Sequence, residues 1–150
     1  MSAIHSALGS GEPNDAFGLQ RFFRVTAAET GGTLAIFEEM VPEGAGPPLH
    51  IHHTETEVFT VLDGALRFHA DGKDITGKPG DIIVIPPGTR HAFKGIAPGT
   101  SRVLIQLTPG EGANFFVDIA TEDLHPPDDM DRITQIAARY GVEFVGPPLD

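Results

Sequence analysis

A chain of 150 residues holds one domain with its own core and is too short for two ordinary ones. It contains no cysteine, which excludes disulfides, thiolate metal sites and cysteine nucleophiles together. A net charge of -11 opposes nucleic acid and anionic membranes as partners, since both need a basic face.

Residues 1–16 are rich in small and polar side chains and read as an arm with little structure of its own. Met1 to Gly11 carry no Lys or Arg and no apolar core, so no secretory signal is expected and a cytoplasmic location is the expectation. No apolar run is long enough to span a bilayer as a helix. Strands are expected over Leu19–Thr26 and Thr33–Val41, broken at Gly31-Gly32. A Pro- and Gly-rich loop follows, then short strands at His50–His53 and Glu57–Leu62. Asp63-Gly64 and Asp71-Gly72 read as hairpin turns, the second joining Leu66–Ala70 to Lys73–Thr76. The apolar run Asp81–Ile85 reads as a strand covered on both faces, stopped by Pro86-Pro87-Gly88. His91–Lys94, Ser101–Thr108 and Asn114–Ile119 complete the expected strands.

The tail has a different period. Ile133, Ile136, Ala137 and Tyr140 recur at helical spacing after Asp128-Asp129, and Gly141 stands where a helix ends. One amphipathic helix is expected over Asp129–Tyr140. The division expected is an arm (1–16), a β barrel (17–120) and a helix and tail packed on that barrel (121–150). Strands first and a helix last read as an all-β domain, a closed β sandwich with a C-terminal α-helix.

His50 and His52 are two apart on an expected strand, so both point to one face, with Cα atoms roughly 7 Å apart. Glu57 returns beside them after a turn, and His91 follows the Pro-Pro-Gly stop. Burying three imidazoles and a carboxylate together without an ion would leave costly unpaired polar groups. His50, His52, Glu57 and His91 are therefore the candidate metal ligands. Glu55 lies too near His52 in sequence to fit the set, and His53 should face away from the site. His5, His69 and His125 have no such company. Phe59 and Phe93 follow Glu57 and His91 by two; core packing and substrate contact are both open to them.

Gly44, His50, His52, Glu57 and Gly64, followed by Gly80, Pro86, Gly88 and His91, resemble the two sequence motifs of the cupin superfamily. The second motif departs at its last position, where Gly95 replaces Asn. The resemblance implies a double-stranded β-helix, or jelly roll, with the ion in its mouth. Among single-domain cupins, the chain is similar to the quercetin 2,3-dioxygenase group. That similarity implies an enzyme, a metal-dependent oxygenase acting with O₂ on a small enolisable or phenolic substrate. Glu57 would then be both ligand and catalytic proton acceptor.

An N,N,N,O donor set suits Fe, Mn, Ni, Cu, Co or Zn and leaves positions open for an exogenous ligand. One carboxylate against a divalent ion leaves a net positive site, which favours an anionic oxygen on the substrate. Other metal-dependent cupin chemistry (an isomerase or decarboxylase) and non-catalytic binding of a small ligand are the alternatives. A homodimer is expected, from the arm and the outward-facing apolar Ile51.

Overall fold

The computed structural model describes residues 2–150; Met1 of the expected arm lies outside them. Eleven strands and two α-helices are described: β1 (Glu12–Asn14), β2 (Gln20–Val25), β3 (Ala35–Pro42), β4 (Pro48–His52), β5 (Thr56–Asp63), β6 (Leu66–Ala70), β7 (Lys73–Gly77), β8 (Ile82–Ile85), β9 (His91–Gly95), β10 (Thr100–Thr108), α1 (Asn114–Thr121), α2 (Met130–Arg139) and β11 (Val142–Pro148). They form two antiparallel sheets. One has the order β1-β2-β3-β10-β5-β8 and the other β11-β4-β9-β6-β7. The result is the expected jelly roll with a helix near its C-terminus.

Alternation builds the core. In β10, Ser101, Val103, Ile105 and Leu107 point inward and are buried, while the residues between them face out. They meet Phe37, Phe59, Phe68 and Phe93 between the sheets. The rings of Phe68 and Phe93 lie 5.0 and 5.4 Å from that of Phe59, both edge-to-face, a packing that adds about 0.5–1.5 kcal/mol per pair beyond area burial. A second cluster joins the two helices to the barrel through Phe115, Ile119, Ile133, Ile136, Ala137 and Val142. Tyr140 donates a hydrogen bond to Asp118, tying the end of α2 to α1.

Several elements differ from the expectation. Asn114–Ile119 is helical, not a strand: Phe115 and Ile119, four apart, are the pair that it buries. Asp63-Gly64 does not close a hairpin, because β5 and β6 belong to different sheets. It is a corner, held where Ser101 Oγ accepts from the Ala65 N–H at 3.1 Å. The strand β8 is covered on one face only. It forms a sheet edge, so Ile82 and Val84 are 64% and 53% exposed while Ile83 and Ile85 are buried.

Both ends of the chain also contribute strands. In the expected arm, Glu12–Asn14 pairs with β2, and in the expected tail Val142–Pro148 pairs with β4. The alternation of Val142, Glu143 and Phe144 is the local signal for the second of these. The Asp71-Gly72 hairpin joins β6 and β7 as expected.

Candidate metal centre

The four polar side chains come from both sheets. Strand β4 turns His50 and His52 inward by its alternation. Its neighbour β9 begins at His91, directly across from His50. After His52 the chain crosses to the facing sheet, where β5 carries Glu57 between Ile85 and Leu107. Glu57 therefore approaches the imidazoles from the opposite wall and not from an adjoining strand. The turn before His91 is fastened to β4 by the Gly88 N–H, which donates to the His52 carbonyl at 2.8 Å.

One donor atom from each of His50, His52, Glu57 and His91 lies within 4.8 Å of all the others, and all four residues are buried. The outer nitrogens orient the rings. His50 Nδ1–H donates to the Pro48 carbonyl at 2.7 Å, and His91 Nδ1–H donates to the Thr89 carbonyl at 2.9 Å. In both neutral rings Nε2 is then the lone-pair nitrogen. Yet His91 Nε2 faces Glu57 Oε1 at 3.1 Å, and His52 Nε2 faces Glu57 Oε2 at 3.6 Å. A neutral imidazole lone pair and a carboxylate are both acceptors, so a positive centre must sit between them, either a proton or a metal ion. The donor set therefore fits a metal ion, with Nε2 of three histidines and the Glu57 carboxylate available to it.

Titration follows this crowding. Burial lowers His50 to about 3, and the positive charges on His91 and His52 push in the same direction. Burial opposes the charge on Glu57. The charge of His52 and the hydrogen bond with His91 overcome it, and the carboxyl falls to about 2. His52 is raised, because Glu57 and Glu55 together outweigh the desolvation of its cation.

Glu55 stands outside the cluster. Its Oε2 faces His52 Nδ1 at 3.5 Å, on the far side of the ring from the other donors, and neither atom has a hydrogen-bond partner among the described residues. His53 is exposed and pairs with Glu143 at 2.8 Å. His69 pairs with Asp74, and His125 with Asp123.

Two cavities of about 40 Å³ each adjoin His50 and His52. Phe17, Pro47 and Phe116 border both. The first is walled by Phe115, Val142 and Phe144, and the second contains Arg21, Glu39, Glu57 and Phe93. Of the two phenylalanines singled out from sequence, Phe93 borders the second cavity, while Phe59 is fully enclosed in the core beside Phe68. Sequence reasoning missed Phe17, Arg21 and Glu39. The strands of Arg21 and Glu39 also carry Gln20, Arg24 and Glu38, so the sequence holds no signal that sets these two apart as buried.

Comparison with known proteins agrees with this architecture. A family profile described as "Cupin domain" matches residues 37–117. The quercetin 2,3-dioxygenase of Bacillus subtilis is 30% identical over 116 residues, covering 76% of this chain and 34% of that protein. The chain thus spans about a third of that relative's length. The L-ectoine synthase of Halomonas elongata is 30% identical over 111 residues, covering 72% of this chain and 77% of that one. Among solved structures, a predicted oxalate decarboxylase from Thermotoga maritima superposes with a TM-score of 0.61 at 20% identity, over 71% of this chain and 98% of that one. At that identity the likeness is one of fold.

Proposed function

This chain belongs to the cupin family, and from that premise we propose that it is a metal-dependent oxygenase acting with O₂ on a small oxygenated substrate, enolisable or phenolic. The observation that carries the proposal is the buried convergence of three histidine nitrogens and one carboxylate beside a pair of small cavities. The similarity to a quercetin 2,3-dioxygenase over most of this chain supports the reaction class.

In this reading His50, His52, Glu57 and His91 hold Fe, Mn, Ni, Cu, Co or Zn. The bound ion supplies Lewis acidity toward a substrate oxygen and, for a redox-active metal, access to O₂ chemistry. The residues of the chain do the rest. Hydrogen bonds to Pro48 and Thr89 fix two imidazole rings, so little reorganisation accompanies binding. Phe17, Phe115, Phe116 and Phe144 exclude water from the approach to His50. Glu57 carries a carboxyl held near 2, which makes it a weak base while it remains in the cluster. To take a proton from a substrate hydroxyl, it must first give up its contacts with His91 and His52.

The size of the cavities favours a second reading. Each holds a few waters or a ligand fragment of a few heavy atoms, far below the roughly 300–1,000 Å³ of a site for drug-sized ligands. A small ligand handled without O₂, by a metal-dependent isomerase, a decarboxylase or a binding module, fits the same donors. Oxygen uptake by the metal-loaded protein, screened over flavonols and smaller enolisable or phenolic compounds, separates the readings. Uptake abolished by His91→Ala is expected. Substrate consumed at the same rate under argon would overturn the oxygenase.

A homodimer belongs to the same proposal. The edge strand β8 presents Ile82 and Val84 outward, an apolar edge open to a second copy. Light scattering that shows only monomer would contradict it.

A further inference from the structure

Arg21 and Glu39 are a buried ion pair on the wall that carries Glu57 and faces the three histidines. They stand directly opposite one another on β2 and β3, with Arg21 1% and Glu39 3% exposed. Arg21 Nε donates to Glu39 Oε2 at 3.0 Å. Its Nη1 donates to the Ala16 carbonyl at 2.6 Å and to Asn14 Oδ1 at 2.9 Å. The guanidinium carbon lies 3.8 Å from the centroid of the Phe116 ring, so the plane is clamped. Among the described residues, no hydrogen bond is recorded at Arg21 Nη2 or at Glu39 Oε1. Both residues line the same cavity as His50, His52 and Glu57.

A buried ion pair is an expensive way to fill a wall. Desolvation takes back most of the Coulomb gain, and well-packed apolar side chains in its place are often as stable or more so. A preorganised pair with one free donor and one free acceptor is suited to a ligand group that needs both. Its charge decides which group. Burial and the charge of Glu57 push the Glu39 carboxyl upward while Arg21 holds it down; ionised, Glu39 cancels Arg21, and a ligand carboxylate there would face the Glu39 carboxylate. A hydroxyl can accept from Arg21 and donate to Glu39; a carbonyl can accept from Arg21. The net positive charge of a loaded centre lies at the histidines and Glu57, in the same cavity.

We propose that Arg21 and Glu39 form the second end of the ligand site, binding a neutral hydroxyl or carbonyl group of a compact ligand whose anionic oxygen is held at the metal donors. The proposal rests on the metal reading above. It defines the substrate class as a short hydroxy- or oxo-substituted monoanion and not a dianion. Removing the Glu39 charge should convert that preference, since an uncompensated Arg21 would welcome a second carboxylate.

The test uses the full chain loaded with cobalt(II) and titrated with acetate, glycolate and oxalate, followed by the visible cobalt spectrum. Each ligand's intrinsic chelation of cobalt cancels when a variant is compared with the parent protein. Glu39→Gln is expected to raise the affinity for oxalate relative to glycolate by about tenfold, the scale of one charge-assisted hydrogen bond. Replacing both residues, Arg21→Met with Glu39→Met, is expected to lower the preference for glycolate over acetate by a similar factor while cobalt is still bound. This double change removes the pair without stranding a charge, so it serves where the single variant fails to fold. Cobalt uptake with both ratios unchanged within about twofold would overturn this proposal alone. No cobalt uptake by the parent chain would overturn the metal reading and this proposal together.

Discussion

His50 and His91 stand opposite each other across the β4–β9 pairing, with ring centroids 4.3 Å apart, and each donates Nδ1–H to the carbonyl two residues before it. The same device, used on neighbouring strands, turns both Nε2 atoms toward one point before any ligand arrives.

Removing one of these rings should therefore be felt mainly in metal affinity. His91→Ala takes away the partner of Glu57 Oε1 as well as one nitrogen donor. The expected loss exceeds the roughly 10–100-fold caused by removing a supporting outer contact. Metal content after dialysis should fall from near stoichiometric to trace. Full retention would exclude His91 as a ligand.

In the metal-free protein the contribution of His50, Glu57 and His52 to stability should be greatest near pH 6.5, with Glu39, raised by burial, working against it as pH rises from 4.5. His50 is lowered to about 3, so the unfolded chain takes up its proton first, and stability falls as pH drops from 6.5 toward 3. Glu57 adds a loss between 4.5 and about 2. His52 is raised above 6.5, so its contribution is complete below 6.5 and disappears as pH rises through its folded value. Urea midpoints of chelator-treated protein from pH 3 to 9 measure the curve, and a flat profile would contradict these signs.

Metal uptake at neutral pH should also release a proton. A ligating imidazole must be neutral, and the raised His52 is one group that holds a proton in the metal-free site. Calorimetric titration in two buffers of different ionisation enthalpy reads the number released. Buffer-independent heats would show that no proton leaves.

Phe17 closes the approach to His50 in an unusual backbone state. Its φ is 63°, and its ring stacks on Phe144 at 5.5 Å with a 13° tilt. The left-handed conformation costs a non-glycine residue roughly 1–2 kcal/mol. Phe17→Gly removes that strain along with the ring and its contacts to Phe115 and Phe144, so stability should fall by less than loss of the ring alone would cause, while the site opens. Metal stripping by a chelator should accelerate about tenfold or more. An unchanged stripping rate would mean that Phe17 does not control access.

Gly64 is expected to tolerate no side chain. Its φ is 78°, and a Cβ there would lie 2.2 Å from Ser101 Oγ and 2.9 Å from Ser101 Cα. Gly64→Ala should cost at least ~2 kcal/mol, lowering Tm by about 4–8 °C for a chain of this size. A melting temperature within a degree of the parent would refute the clash.

Much of the site can be read without coordinates, and particular residues show why. His50 and His52 share a face because strand side chains alternate, whatever the strand is paired with. Asp71-Gly72 makes its hairpin by local turn chemistry, and Ile133, Ile136 and Ala137 mark α2 by local periodicity. The six residues Asn114–Ile119 could not be read in this way. A short apolar run is compatible with strand or helix, and its packing against α2 and Phe17 decides for the helix. Ile82 and Val84 look buried in a continuous apolar run, yet β8 is the last strand of its sheet and one face is open.

Chemical identity and short-range order were thus determined by the sequence alone: which side chains can donate to a metal ion, how far apart they lie along the backbone, and where turns must fall. Tertiary structure alone decided that Glu57 reaches the histidines from the opposite sheet, that Arg21 and Glu39 face the same cavity, and that aromatic rings narrow the entrance. The physical reason is range. Alternation, turn preference and helical period act over a few neighbouring residues, whereas the contents of a cavity depend on how two separately ordered sheets meet.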